Sequence, residues 1–311
     1  SKDFEVLQVV SQVLYNGKAG LIDLDLNQQQ KVLNSYGYPM GLADYSAFIL
    51  GGLPKQGQTL EEVKDLLLNE IKKLRAGEFD EKMLQANINN FKLYELQSME
   101  SNEGRADIFV NSFINGTNWE DEVTAIDRMA KLTKEDIVAF ADKYLKEDNY
   151  AVVYKKQGKD PNEKKMTKPE ITPIVSNRDV ASPFLTSIQE NAVKPIEPVF
   201  LDFKKDMSQL TAKSDIPVLY KQNTTNDLFQ LIYVFDMGNN NDKALGTAFD
   251  YLEYLGTSDM TPEELKSEFY RLACTFYVSP GNERTYVVLS GLNENMPAAM
   301  QLFEKLLADA Q

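Results

Sequence analysis

The distribution of proline constrains this chain more than any other feature. Six of its twelve prolines fall between Pro161 and Pro198. Each fixes φ and removes an amide donor, so that stretch can be neither a central strand nor a long helix. Gly158 to Pro198 therefore reads as an extended connector, with a short polar helical piece near Ser182–Asn191. A connector of that length inside one compact domain is unusual, so the reading favoured is a linker between two domains. The other reading is a long surface loop of a single domain. The expected division is residues 1–157, a linker over 158–198, and residues 199–311. A chain of 311 residues has room for about two domains of ~150 residues, and 43% hydrophobic residues can supply a core to each.

Hydrophobic periodicity and helix signals fill in both sides. Leu7, Val10 and Leu14 recur at helical spacing over Phe4 to Leu14. Asp44–Leu50, bounded by Gly41 and by Gly51-Gly52, predicts a strand. Thr59 with Glu62 is a capping box opening a helix that carries Leu60, Val63, Leu67, Ile71 and Leu74 and ends at Gly77. Asp80 is expected to cap a long helix to about Asn102, continued by Arg105 to Ile114, and Thr133 with Asp136 opens another. Tyr150–Tyr154 predicts a short strand.

After the linker, Ile216–Lys221 and Leu228–Met237 read as two strands joined by a hairpin at Asn223 to Asn226. Gly246 to Leu255 is helical, and Thr261-Pro262-Glu263-Glu264 is a strong helix start with Pro at the first position. Cys274–Ser279 and Thr285–Ser290 pattern as strands, and Asn293–Asp309 as an amphipathic helix. Strands and helices in this order predict an α+β fold, helices packed on a largely antiparallel sheet.

Composition excludes several chemistries. There are 33 basic against 47 acidic residues and no histidine, for a net charge of −14. That balance argues against nucleic acid, which requires a basic face to release counterions. Without histidine these residues offer no His-ligated metal and no His general base. Cys274 is the one cysteine; it can form no internal disulfide and reads as a small core residue. The most apolar stretches, Leu66–Leu68 and Leu228–Phe235, are far short of the ~20 residues a spanning helix requires. The first residues, Ser1 to Glu5, lack the basic start and apolar run of a signal peptide. Both ends run directly into helix-patterned sequence, and the expectation is a segment of a longer polypeptide.

The most informative passage is Phe249-Asp250-Tyr251-Leu252-Glu253-Tyr254-Leu255-Gly256-Thr257, followed by Thr261–Leu265 and Glu283 to Leu292. It resembles the pitrilysin/insulinase family of zinc metallopeptidases, the inverted zincins. The active repeat of that family carries His-x-x-Glu-His, a short loop ending in Gly-Thr, a helix, two strands and another helix. Two His at i and i+4 share a helical face and hold one zinc, while the Glu between them activates the bound water. Here Asp250 and Tyr254 occupy the two His positions and only Glu253 matches. A carboxylate and a phenol make a poor tetrahedral zinc site, so this repeat is expected to bind no zinc. Asp250 and Glu253 as ligands of a hard cation would need more oxygen donors than the sequence supplies; two solvated helix acids is the reading adopted.

Leu7–Leu14, Gly17–Leu26, Gly77-Glu78-Phe79, Ser98 to Ala106, Leu132 to Asp136 and Tyr144 to Val153 resemble a second-type domain of the same family. The family's substrate-binding Arg and Tyr, seven residues apart, have their nearest match in Lys31 and Tyr38, read here as a surface Lys and a packed Tyr. Gly51-Gly52 and Gly256 lack a phosphate-loop pattern and read as turns. Phe269, Tyr270, Phe276 and Tyr277 read as core, and Arg105 as a structural ion-pair partner.

The resemblance implies two partial repeats: the later part of domain two, the inter-half linker, and the first half of a degenerate domain three. It implies that the parent polypeptide is a zinc-dependent metalloendopeptidase that degrades peptides, with zinc held upstream of this chain. This chain would then have no catalytic or metal-binding residue and no cofactor of its own. Its partners would be peptide substrates and the other domains of the same polypeptide. An extracytoplasmic, periplasmic bacterial location follows by family analogy. The alternative is a non-catalytic structural or peptide-binding homologue of processing peptidases.

Overall fold

The computed structural model describes residues 2–42, 44–159, 162–164, 166–174 and 176–311. The chain is α+β, and its contacts divide it into two compact units, Ser1–Val152 with Asn223–Gln311, and Val153–Gln222.

The first unit begins with α1 (Lys2–Leu14), which buries Leu7, Val10 and Leu14 as its periodicity predicts, together with Val9 and Val13. A wide helical turn over Asp23–Gln28 follows. β1 (Asn34–Gly41) and β2 (Ser46–Leu53) then pair antiparallel. β1 escapes the sequence pattern because Gly37 and Pro39 interrupt it; a two-stranded ribbon tolerates them, since each strand keeps a free edge. Gly51 and Gly52 lie inside β2, opposite Tyr36 and Ser35, and do not form a bounding turn. A Cβ on Gly52 would stand 2.4 Å from Val63 Cγ1, so the missing side chains allow the strand to approach its neighbours.

α2 (Leu60–Arg75) opens on the predicted capping box: the Thr59 amide donates to Glu62 Oε2 at 2.7 Å, and the Glu62 amide donates to Thr59 Oγ1 at 3.1 Å. Its buried face is Val63, Leu67, Ile71 and Leu74, and Gly77 follows at φ +70°. The helix expected to run on through Ile114 is instead two, α3 (Lys82–Ser98) and α4 (Asn102–Asn115). The break is a restart: Ser101 Oγ accepts the Gly104 amide at 2.9 Å and competes with continuation of the helix. Two short helices, α5 (Trp119–Val123) and α6 (Ala125–Met129), precede α7 (Lys134–Tyr144), which opens on the Thr133–Asp136 box. Residues 150–154, expected as a strand, pair with no other strand among the described residues. Their β-favourable side chains cannot make a strand without a neighbouring ladder.

Among its described residues the second unit has a short α-helix, α8 (Pro183–Gln189), and a small hairpin, β3 (Ser208–Thr211) with β4 (Pro217–Tyr220), joined through a 3₁₀ turn at Lys213–Asp215. None of its described residues is buried.

Within the first unit the chain resumes at β5 (Leu228–Phe235), α9 (Leu245–Tyr251), α10 (Pro262–Arg271), β6 (Cys274–Pro280), β7 (Thr285–Leu292) and α11 (Met296–Ala308). The strands form an antiparallel sheet in the order β5-β7-β6. This corrects the expected pairing: β4 pairs with β3 and β5 with β7, so no hairpin joins residues 216–221 to 228–237. One sheet face presents Phe229, Cys274, Val287 and Leu289 to Phe269, Phe303 and Leu306 of α10 and α11. The other face leaves Ile232, Val234, Tyr277 and Tyr286 exposed, so Tyr277 is not a core residue. Strand alternation sends it opposite to Phe276.

α3 packs on α10 around Tyr270, which is 1% exposed. Its hydroxyl donates to Asn87 Oδ1 at 2.9 Å, and Asn90 Nδ2 donates to its carbonyl at 2.7 Å. The Tyr270 hydroxyl and carbonyl are paired in this way, whereas Asn87 Nδ2 is buried with no hydrogen-bond partner among the described residues.

Candidate functional site

The segment that carries the motif is anchored from beneath. Phe249, Leu252 and Leu255, three residues apart, all pack on the core under the β5-β7-β6 sheet. α9 stops at Tyr251 and the chain tightens into a 3₁₀ turn over Leu252–Tyr254. That change of winding matters for the chemistry. Ligands at i and i+4 share a face only at 3.6 residues per turn; at three per turn, i and i+3 eclipse and i+4 swings away. The second ligand position thus lies in a turn that departs from the α-helical winding in which i and i+4 share a face.

All three side chains are exposed. Asp250 and Glu253 form no side-chain hydrogen bond or ion pair among the described residues. Tyr254 is engaged elsewhere: its ring lies 6.1 Å from that of Tyr251, and Lys266 Nζ stands 5.1 Å from its centroid. The same ammonium donates to Gln28 Oε1 at 2.6 Å. Among the described residues no group of three His, Cys, Asp or Glu side chains converges as metal ligands. One carboxylate pair and a phenol facing an ammonium do not supply the imidazole or thiolate donors on which tetrahedral zinc sites are built.

The Gly-Thr loop is closed on itself. Gly256 and Gln311 exchange backbone hydrogen bonds at 3.1 Å, and Thr257 Oγ1 donates to Asp259 Oδ1 at 2.8 Å. Lys305 binds the other oxygen of Asp259, and its charge with these hydrogen bonds holds the carboxyl below its ordinary range. α10 starts on the predicted box, the Thr261 amide donating to Glu264 Oε2 at 2.9 Å and the Glu264 amide to Thr261 Oγ1 at 3.2 Å.

Other residues singled out by sequence fall as follows. Cys274 is buried, its thiol contacts the Leu272 carbonyl at 3.4 Å, and burial pushes its pKa up to about 11, which leaves it protonated and unreactive at neutral pH. Lys31 is exposed, as read; Tyr38 stacks on Tyr36 with centroids 6.2 Å apart but is only half covered, so "packed" overstates it. Arg105 makes no ion pair among the described residues; its guanidinium donates to Asn102 Oδ1 at 2.6 Å.

Two buried acids were missed. Asp23 accepts the amides of Asn16 at 2.9 Å and Gly20 at 3.0 Å, and burial outweighs those bonds, raising its pKa to about 6. Glu70 accepts Lys73 Nζ at 3.0 Å, and that ammonium also donates to Asp25 Oδ2 at 2.7 Å. Burial raises the Glu70 carboxyl above its ordinary value, with Lys73 opposing. A signal for Glu70 was present: it lies three residues after Leu67 and four before Leu74, on the apolar stripe of α2. Asp23 had none, because its burial depends on the turn after α1.

No protein-family model and no curated protein matches the chain. Solved structures similar to it include proteases. A protease from Helicobacter pylori is similar over 47% of this chain and 35% of that one, at 22% identity and a TM-score of 0.43. The inactive peptidase domain of a candidate zinc protease from Bordetella parapertussis is similar over 48% and 81%, at 17% identity and 0.42. The periplasmic protease PqqL from Escherichia coli is similar over 100% of this chain and 36% of its own, at 13% identity and 0.35. The chain thus spans about a third of the length of the Helicobacter and Escherichia proteins. Among the described residues, no helix is long and apolar enough to cross a membrane.

Proposed function

We propose that this chain is a non-catalytic middle segment of a zinc-dependent metalloendopeptidase. Residues 1–157 would be the later part of a second peptidase-like domain, residues 158–198 the inter-half linker, and residues 199–311 the first half of a degenerate third. One observation carries the reading: α9, the Gly256-Thr257 loop, α10, β6, β7 and α11 follow one another in the order of a peptidase repeat, with Asp250 and Tyr254 at both ligand positions.

The residues here do not fit zinc, so no catalytic step passes through them; the metal belongs to an earlier repeat. What this chain contributes is surface and connection. It forms part of the wall of a peptide-degrading chamber and links the halves, and its net charge of −14 favours basic peptide segments. The compartment proposed is extracytoplasmic.

Metal analysis and a peptide-cleavage assay on the purified chain, beside the full-length protein, test this. The chain should hold no stoichiometric zinc and cleave nothing, and the full-length protein should do both. Chelator-sensitive hydrolysis by the chain alone would overturn the reading. A full-length protein without zinc or cleavage would assign it instead to the structural or peptide-binding homologues.

A further inference from the structure

α4 and α5 carry a surface that the proposed function does not use. On α4, Phe109, Val110, Phe113 and Ile114 lie on one side over consecutive turns, and all are exposed, Phe113 at 87% and Ile114 at 68%. Gly116, at φ +62°, closes α4 and turns the chain into α5. That reversal sets Trp119, 45% exposed, against Phe109, with rings stacked at 4.6 Å and 15°. Val123, also exposed, extends the patch by one turn. Contiguous exposed aromatics of this kind mark interaction sites, and Trp and Phe anchors carry most of the energy where they are covered.

The surroundings are predominantly negative. Between residues 95 and 127 the sequence has eight carboxylates and a single base, Arg105. Glu103 and Asp107 lie on α4, and Glu120, Asp121 and Glu122 on α5. Glu95, Glu122 and Asp127 share one negative region: burial first, then these two neighbours, raise the Glu95 carboxyl above its ordinary value. Arg105 is hydrogen-bonded to Asn102, and the next cation, Arg128, is held by Glu5 at 2.5 Å and also stands 3.8 Å from Asp121 Oδ1, so Glu103, Asp107, Glu120 and Glu122 supply the negative rim.

We propose that the α4–α5 surface docks a basic amphipathic peptide segment, its apolar side chains against Phe109, Phe113, Ile114 and Trp119 and its Lys or Arg residues over the surrounding carboxylates. The charge selects this occupant. In a two-fold pairing with a second copy the same carboxylates would face each other. An anionic lipid surface would be repelled for the same reason. The inference holds whether or not the parent protein is a peptidase.

Trp119 is the one tryptophan in the sequence, so its emission reports on the patch directly. The whole chain is titrated with a tryptophan-free, 18-residue helical peptide of Leu and Lys only. A saturable blue shift is expected, with Kd weakened at least ~10-fold in the Phe113→Ser/Ile114→Ser variant and weakened again by added salt. A peptide of the same pattern with Glu for Lys should give no shift. Asp107→Asn/Glu120→Gln, which leaves the apolar side chains in place, should also weaken binding. No saturable shift, an equal shift with the Glu peptide, or an unchanged Kd in both variants would overturn the proposal. Self-association by sedimentation that is lost in Phe113→Ser/Ile114→Ser would assign the surface to a second copy and overturn it equally.

Discussion

Residues 228–308 and residues 153–222 are of similar length and differ in one physical respect. The first places Phe229, Leu252, Leu265, Phe269, Phe303 and Leu306 around a single sheet. The second is also rich in large apolar residues, among them Ile174, Val193, Ile196, Val199, Phe200 and Phe203, yet every one of these is exposed. Apolar content is therefore not what makes a core. In the first stretch apolar residues recur at helix and strand periods, so several elements each present one face. In the second, where six prolines fall between 161 and 198, the described α-helix and strands are no longer than seven residues.

The largest expected effect tests that difference directly. Phe303 is fully buried, with its ring 4.9 Å from Phe276 and 6.0 Å from Tyr233. Phe303→Ala should cost about 3–5 kcal/mol of unfolding free energy in urea. Phe200→Ala, at an exposed site, should stay within about 0.5 kcal/mol. Comparable losses would show that residues 153–222 have a core after all.

A second contrast is electrostatic. The first unit has a buried, raised carboxylate in Asp23, whereas no described residue of 153–222 is buried. Because its folded pKa of about 6 lies above the unfolded value of 3.8, the folded state retains a proton that the unfolded state releases. Stability from this group is thus complete below about pH 4 and is lost as pH rises to about 6, by about 3 kcal/mol. Asp23→Asn removes that dependence. The difference in unfolding free energy between wild type and variant should change by this amount between pH 4 and 7, and a flat difference would refute the assignment.

The smallest effect concerns caps. Thr261→Ala removes the acceptor for the Glu264 amide and should cost about 1 kcal/mol. Ser182→Ala, at the cap of α8, should leave the urea midpoint unchanged, because that helix buries none of its residues. A shift of similar size in both would mean that α8 contributes to the cooperative unit.

Much of this was legible beforehand. Thr59, Thr133 and Thr261 each opened a helix where expected, because a cap needs only residues three apart. β5, β6 and β7 were recognisable as strands from their own side chains. Pairing is not legible in this way: Gly37 and Pro39 interrupt the pattern of β1, residues 150–154 carry strand-like side chains but pair with no other strand among the described residues, and β4 pairs with β3 and not with β5. At the candidate site the identities of Asp250, Glu253 and Tyr254 could be read directly. The 3₁₀ turn over Leu252–Tyr254, and the Lys266 ammonium over the Tyr254 ring, could not.

The sequence by itself determined the caps, the amphipathic helices and the absence of imidazole ligands, since each depends on residue types a few positions apart. Only the tertiary structure decided that Tyr270 sits against Asn87, that Asp23 and Glu70 are buried, and that Phe113 and Trp119 are not. Strand partners and burial are settled by contacts between residues tens to hundreds of positions apart, and local pattern has no energy term for them.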